Sequence, residues 1–352
     1  MAGRRIRLEP NGTVFEAAES EAVLNAALRQ GVPLRYGCRH GNCSSCKYLV
    51  SDGDVDLGNA SPYSLSERER EEGWALLCCA RALSDLVIQV PEDPTDRLRP
   101  VLRPADFAAT VAANDRVTRA LHRLRLRLDR PLAFYPGQFL EVEVPGRPGE
   151  WRSYSIASSP SRSAEVDLVI LKVPGGAFSA SLERLGGGAA LRVRGPYGTS
   201  YLREGDRPIL LVGGGSGIAP LLSILEFAAE AGDRRAITFF YGARTAADLP
   251  LQEEIAELQR RLPHLRYRPA LSEPTADCRW AGAVGLIAQV IQRELADASP
   301  FDAYVCGPPP MCDTVSLILA AKGLPDGRAF LDRFYSAVES PGSSEPRARS
   351  FG

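Results

Sequence analysis

The spacing of apolar positions changes rhythm twice along the chain and divides it into three stretches. In the first, short runs such as Asp85-Leu86-Val87-Ile88-Gln89-Val90 predict strands, and Glu21 to Gln30 predicts one helix, giving a small α+β unit. From 105 to 204 the runs are short and punctuated by Tyr135-Pro136-Gly137, Pro145-Gly146, Pro174-Gly175-Gly176 and Gly195-Pro196. Within them Leu124-Arg125-Leu126-Arg127-Leu128 alternates strictly, leucines to one face and arginines to the other. That rhythm predicts an antiparallel β-barrel, with the arginine row a solvated strand face rather than a polyanion stripe. From about residue 205 continuous apolar strands alternate with helices: Ile209-Leu210-Leu211-Val212, Ala236 to Tyr241 and Phe301 to Cys306, with helices at Leu221 to Ala231, Gln252 to Arg261 and Gly285 to Leu295. This is the pattern of a doubly wound α/β unit.

Between the first two stretches, Pro91-Glu92-Asp93-Pro94-Thr95-Asp96 followed by Pro100 and Pro104 reads as a linker. The expected organisation is α+β over 1–95, linker over 96–104, β over 105–204, α/β over 205–335, and a disordered tail over 336–352, rich in Ser, Pro, Gly and charge. A length of 352 residues suits two or three domains.

Composition adds exclusions. A net charge of −1 with 45% hydrophobic residues argues against nucleic acid or an anionic membrane as main partner. Residues 1–95 carry 14 acidic and 10 basic side chains, a mild excess that reads as solvated surface, or as a face for a basic partner. No apolar run follows Arg4 and Arg5, and none approaches the 18 or so residues of a membrane span. A cytoplasmic protein is expected, and there Cys278 and Cys312 are ordinary thiols.

The chemistry is concentrated in four cysteines. Cys38, Cys43 and Cys46 are spaced Cys-x4-Cys-x2-Cys, with Cys78 distant, which is the spacing of a plant-type [2Fe-2S] cluster. Four thiolates must converge on two irons, and three can come from one loop only if it is short and turn-rich, as Tyr36-Gly37-Cys38-Arg39-His40-Gly41-Asn42-Cys43-Ser44-Ser45-Cys46 is. Zinc would more naturally show two Cys-x2-Cys pairs, and disulfides would need an oxidising compartment. Cys79 adjoins Cys78; the register of Leu83-Ser84-Asp85 favours Cys78.

Gly213-Gly214-Gly215-Ser216-Gly217-Ile218-Ala219-Pro220 sits between an apolar strand and its helix, the place for a dinucleotide pyrophosphate. Cys306-Gly307-Pro308-Pro309-Pro310 follows another such strand as a rigid turn, lining a nicotinamide pocket or simply ending the strand. In the barrel, Arg152-Ser153-Tyr154-Ser155 offers a guanidinium fork and an aromatic face, and Gly175-Gly176-Ala177-Phe178-Ser179 a turn with amides and a hydroxyl. Alone this is equally an ordinary strand; between a cluster and a dinucleotide unit it reads as a flavin site.

The order of cysteine loop, Arg-x-Tyr-Ser barrel and Gly-Gly-Gly-x-Gly-x-x-Pro unit resembles the ferredoxin-NADP reductase superfamily. More narrowly it resembles the iron-sulfur flavoprotein reductase components of bacterial multicomponent oxygenases. Gly58-Asn59-Ala60-Ser61-Pro62-Tyr63, Leu83-Ser84-Asp85-Leu86-Val87-Ile88 and Asp332-Arg333-Phe334-Tyr335 are most similar to reductases of phenol, toluene and alkene or alkane monooxygenases. The resemblance implies a β-grasp ferredoxin domain, a flavin barrel and a nicotinamide domain. It implies that Arg152, Tyr154 and Ser155 hold the flavin, and Gly176 and Ser179 its pyrophosphate. Gly213, Gly214, Gly215 and Gly217 would receive the nicotinamide dinucleotide, Arg244 would border its adenosine half, and Gly307 its nicotinamide. Tyr154, Cys306 and Phe334 would stand at the reacting rings, with Phe334 covering the flavin until nicotinamide displaces it.

The implied activity is NADH-dependent electron transfer through FAD and the cluster to an oxygenase hydroxylase, by a monomer, with NADPH an open second donor. Nicotinamide gives two electrons at once and a cluster takes one, so a flavin must stand between them. Two other readings are a reductase feeding a Rieske ring-hydroxylating dioxygenase, and a flavin and iron-sulfur redox sensor without turnover. His40, His122 and His264 are scattered and read as surface residues. Cys46→Ser is expected to abolish or severely perturb the iron-sulfur absorption and EPR signals while leaving flavin reduction by NADH nearly intact; a normal cluster in that variant would remove Cys46 from the ligand set.

Overall fold

The computed structural model describes residues 3–91, 98–335 and 348–351, the last four by their backbone alone. The chain falls into two compact units, residues 1–104 with 335–352, and residues 105–334.

In the first unit, β1 (Arg4–Glu9) pairs antiparallel with β2 (Val14–Ala17) and parallel with β6 (Leu86–Gln89). Between them run α1 (Val23–Arg29), β3 (Lys47–Asp56), α2 (Glu67–Glu71), β4 (Trp74–Leu76) and β5 (Arg81–Ala82). Helix α1 buries Val23, Leu24, Ala26, Ala27 and Leu28, and is shorter at both ends than the expected Glu21 to Gln30. Helix α2 starts on a Ser66/Glu69 capping box. From it the buried Arg70 reaches back, donating to the carbonyls of Leu65 (3.1 Å) and Ala60 (2.7 Å).

The tail reading is corrected at its end, where a strand at Ala348–Phe351 pairs antiparallel with Gly53–Asp56 of β3. Residues 336–347 and 352, and 92–97 of the linker region, lie outside the described residues.

The second unit holds two sheets. Strands β7 (Ala105–Arg116), β8 (Leu121–Leu128), β9 (Phe139–Glu143), β10 (Trp151–Ser155), β11 (Glu165–Leu171) and β12 (Ala190–Tyr197) form an antiparallel sheet in the order β10-β9-β12-β7-β8-β11. A bridge between Ile156 and Leu168 brings its two edges together, leaving a nearly closed barrel. Leu124, Leu126 and Leu128 point into its core, as the alternation requires.

The arginine face of β8 is not simply solvated, which corrects that reading. Arg123 and Arg125 converge on Asp167 of β11, which is fully buried, at 2.6 and 2.9 Å, and Arg162 joins them at 3.1 Å. Burial works to raise the Asp167 pKa, but the hydrogen bonds and charges of the three guanidiniums outweigh it and hold the carboxyl below its ordinary value. His122, on the same strand, is also buried rather than on the surface, with Nδ1 3.2 Å from Asn114 Oδ1.

The second sheet is all parallel: β13 (Ile209–Gly214), β14 (Ile237–Ala243), β15 (Leu265–Leu271), β16 (Ala283–Val284), β17 (Asp302–Gly307) and β18 (Ala329–Arg333), in the order β16-β15-β14-β13-β17-β18. Helices α3 (Ile218–Ala231), α4 (Gln252–Arg261), α5 (Ile287–Glu294) and α6 (Pro309–Ala321) connect it. The strand order reverses between β13 and β17, the switch point at which such sheets bind ligands. The triple proline is the start of α6, not only a rigid turn, because Pro309 and Pro310 occupy first-turn positions where no amide partner is lost.

Barrel and parallel sheet share one core. Leu121, Ala157, Val169 and Leu202 of the barrel pack with Leu211, Ile218, Leu222, Cys306 and Phe330. Polar ties cross the same seam: Ser223 Oγ donates to Ser158 O at 2.7 Å, the Ser159 amide to Glu226 at 2.8 Å, and Arg123 pairs with Glu254 at 2.6 Å.

Removing the Asp167 charge takes from three guanidiniums, one of them largely buried, the carboxylate they share, and leaves them only the more exposed Glu254 and Glu165. Asp167→Asn is therefore expected to lower the stability of the second unit by about 3–5 kcal/mol, read as a reduced urea midpoint at pH 7. Because the folded carboxyl titrates below its unfolded value, its contribution is complete above about pH 4 and fades as pH falls through the lower folded pKa. The gap between parent and variant should close over that acidic window.

Candidate functional site

The cysteine loop is shaped by three left-handed residues, Arg39 (φ 63°), Gly41 (φ 76°) and Ser44 (φ 58°), two of them not glycine. Gly37 serves differently, since a Cβ there would lie 3.1 Å from Cys43 Sγ. The loop is braced from outside by the 60–65 segment: Ser44 Oγ donates to Ser64 O at 2.9 Å, and the Ser61 amide to Gly41 O at 3.1 Å.

The four thiols fall into two pairs, Cys38 with Cys43 and Cys46 with Cys78. Backbone amides are aimed at the sulfurs, Cys38 N–H at Cys43 Sγ (3.2 Å) and His40 N–H at Cys38 Sγ (3.4 Å). The hydrogen bond from the Cys38 thiol, with help from Ser45, pulls Cys43 down from the ordinary thiol range against the effect of burial. Among the described residues no three His, Cys, Asp or Glu side chains are grouped as a single ion would need. Two thiol pairs with amide donors fit a binuclear cluster, two sulfurs to each iron.

In the barrel, strand β10 sets Tyr154 opposite Leu140 and Ser155 opposite Phe139. The Tyr154 ring packs on Phe178 with centroids 5.1 Å apart, and burial raises its hydroxyl pKa. Arg152 is paired with Glu150, so a phosphate would take that carboxylate's place. Ser179 differs from its expected role: its hydroxyl is buried and engaged inside the loop, donating to Val173 O at 2.8 Å and accepting from Val173 N at 3.1 Å. Gly176 makes room for it, since a Cβ there would lie 2.5 Å from Ser179 Oγ. Gly175, at φ 72° with open space beside it, turns the loop outward. A backbone turn beside a shielded aromatic fits a flavin, with amides rather than the Ser179 hydroxyl toward phosphate.

At the switch point the four glycines divide into two roles. Gly213, Gly214 and Gly217 are packing glycines: a Cβ would meet Leu221 at 2.9 Å, Met311 Sδ at 2.9 Å and the Cys306 carbonyl oxygen at 2.0 Å respectively. Gly215 alone is exposed with a left-handed φ of 57° and open space beside it, and its carbonyl accepts from Tyr241 Oη at 2.7 Å. Its surface is the one bare backbone can offer a pyrophosphate. Arg244 is exposed just beyond β14.

Cys306 ends β17 with its thiol buried, and burial raises its pKa well above the ordinary value. Gly307, at φ 147°, lies so close to Gly214 that a Cβ would be 2.9 Å from the Gly214 oxygen. Its carbonyl accepts the Phe334 amide at 2.9 Å, which places Phe334 beside the switch point.

A residue at this seam that sequence reasoning passed over is Asp332. Ser155 Oγ donates to Asp332 Oδ2 at 3.3 Å, and the Asp332 charge acts on the Cys306 thiol. The structure thus gathers Ser155 from the barrel, with Cys306 and Asp332 from adjacent parallel strands, at the seam between barrel and parallel sheet. Asp332 was visible only as part of Asp332-Arg333-Phe334-Tyr335, where nothing local marks it as chemical.

Family models describing a 2Fe-2S iron-sulfur cluster binding domain, an oxidoreductase FAD-binding domain and an oxidoreductase NAD-binding domain match residues 6–83, 108–201 and 211–316. The chain is 38% identical over 348 residues to the reductase component of phenol 2-monooxygenase from Pseudomonas sp. (strain CF600), covering 97% of this chain and 98% of the relative. The chain is an iron-sulfur flavoprotein reductase of the ferredoxin-NADP reductase superfamily. This reductase is also 38% identical over 342 residues to the propane 2-monooxygenase reductase component of Mycolicibacterium goodii, covering 95% and 98% of the two chains. Among solved structures it is similar to an Amycolatopsis cytochrome P450 reductase, with a TM-score of 0.85, 30% identity, and 94% of this chain and 98% of that one covered. It is an NAD(P)H-dependent oxidoreductase whose cofactors are a 2Fe-2S cluster, FAD and a nicotinamide dinucleotide. No helix among its described residues is long and apolar enough to cross a membrane.

Asp332→Asn in the reductase keeps the shape but removes the charge that meets Ser155 and faces Cys306. The expected outcome is a loss of about 10²-fold in the rate of flavin reduction by NADH, with cluster and flavin content unchanged, measured by stopped-flow absorbance. A parental rate would show that the Ser155–Asp332 contact only holds the seam together.

Proposed function

We propose that this reductase takes electrons from NADH and delivers them, through FAD and the cluster, to the hydroxylase of a multicomponent monooxygenase. The observation that carries the reading is the full-length likeness to phenol and propane monooxygenase reductase components, cluster unit included. When bound, the flavin supplies the conversion between a hydride's electron pair and single electrons.

The protein's own residues divide the work. Cys38, Cys43, Cys46 and Cys78 hold the cluster, and the loop amides stabilise its sulfurs. Arg152 exchanges Glu150 for a flavin phosphate, Tyr154 and Ser155 hold the ring, and the turn at Gly175 and Gly176 meets the pyrophosphate. Gly215 presents backbone to the nicotinamide dinucleotide, and Gly213, Gly214 and Gly217 let strands and helix close behind it. Arg244 borders the adenosine half without deciding against NADH. Phe334 would cover the flavin, and Ser155, Cys306 and Asp332 would stand at the reacting rings, Asp332 through its charge. The protein works as a cytoplasmic monomer, and an oxygenase component is its acceptor.

The test uses the full chain loaded with FAD and cluster. Rapid NADH-dependent reduction of cytochrome c, with NADPH at least tenfold less effective in kcat/KM, is the expected result. Absence of turnover with both cofactors intact would leave only a sensor. Faster NADH consumption coupled to hydroxylated product identifies the hydroxylase partner; coupling to a Rieske dioxygenase alone would overturn the monooxygenase assignment.

A further inference from the structure

Cys79 is the one thiol beside the cluster loop that the proposed ligand set leaves unused. Only 8% of it is exposed, and its Sγ lies 3.7 Å from Cys78 Sγ. Two left-handed glycines make room for it. A Cβ at Gly41 would fall 2.7 Å from Cys79 Sγ, and one at Gly58 would fall 2.6 Å from the Cys79 carbonyl oxygen. The Cys79 amide donates to Leu76 O at 2.9 Å, which fixes the backbone that carries the thiol. The cluster loop can pass this sulfur only because position 41 carries no side chain.

We propose that the Cys79 thiol donates a hydrogen bond to the Cys78 sulfur and thereby raises the reduction potential of the cluster. In the geometry either thiol serves as donor. Once Cys78 is an iron-bound thiolate it has no proton to give, so Cys79 is the donor and Cys78 the acceptor. Reduction adds negative charge that spreads onto the ligand sulfurs, and a donor there stabilises the reduced form more than the oxidised one. The Cys79 side of the contact is buried, where a hydrogen bond is stronger than at the surface. Cys79 is thus a tuning residue acting through Cys78, and this inference rests on Cys78 being a ligand.

The test compares Cys79→Ala and Cys79→Ser with the parent, each as the full chain with cluster and FAD bound, by EPR-monitored redox titration. Cys79→Ala is expected to retain the cluster and shift its one-electron equilibrium about fivefold toward the oxidised form, about 40 mV at 59 mV per tenfold. Cys79→Ser keeps a donor and should recover most of that shift. An unmoved potential in Cys79→Ala, or an equal fall in Cys79→Ser, would overturn the inference, the second because it points to packing instead. Cys78→Ser separates the two levels. If Cys79→Ala loses the cluster while Cys78→Ser keeps a normal one, Cys79 is the ligand, and the ligand assignment fails together with the tuning role.

Discussion

One approach of backbone to backbone organises the nicotinamide end of the molecule. At Gly217 a single carbon more would sit 2.0 Å from the Cys306 carbonyl oxygen, so the turn after β13 closes on the end of β17 only because that position carries hydrogen. Everything downstream inherits this contact. It fixes the end of β17, which lets Gly307 lie against Gly214; Gly307 then takes the Phe334 amide, and the strand leading to Phe334 carries Asp332 to Ser155. The seam between barrel and parallel sheet is thereby assembled from a void in one residue rather than from a strong attraction.

The attractions lie elsewhere, in the Asp167 cluster and the shared apolar core. Arg123 belongs to both sides, binding Asp167 within the barrel and Glu254 on α4. A guanidinium with several donors is suited to this, since it can satisfy two carboxylates at once while keeping its charge. Barrel and parallel sheet consequently pack as one unit, although their sequence rhythms are distinct.

Much of this was legible in the chain because the signals are local. Helix α4 occupies the residues its periodicity marks, Gln252–Arg261, and Leu124, Leu126 and Leu128 are buried as their alternation demands. The cysteine spacing and the Gly-rich turn announce their chemistry through distances along one loop. What stayed hidden depends on residues far apart in sequence. Asp332 gains meaning only when β18 lies beside β17 and the barrel brings Ser155 across, 177 positions away. Ser179 looked like a phosphate ligand until its loop folded the hydroxyl inward. Pro308-Pro309-Pro310 hid a helix because the same residues that stop a chain also start one. Arg125 read as solvated because its partner, Asp167, lies on another strand.

The buried Arg70 carries a consequence for the cysteine loop. It ties the carbonyls of Ala60 and Leu65, and the segment between them grips the cysteine loop through Ser44 and Gly41. None of these bonds uses a cysteine sulfur, so the frame is set whatever the charge at the cluster. A cluster bound there would meet amides already oriented toward its sulfurs. The consequence is preorganisation: a loop framed through backbone carbonyls would need little rearrangement when charge arrives at its sulfurs.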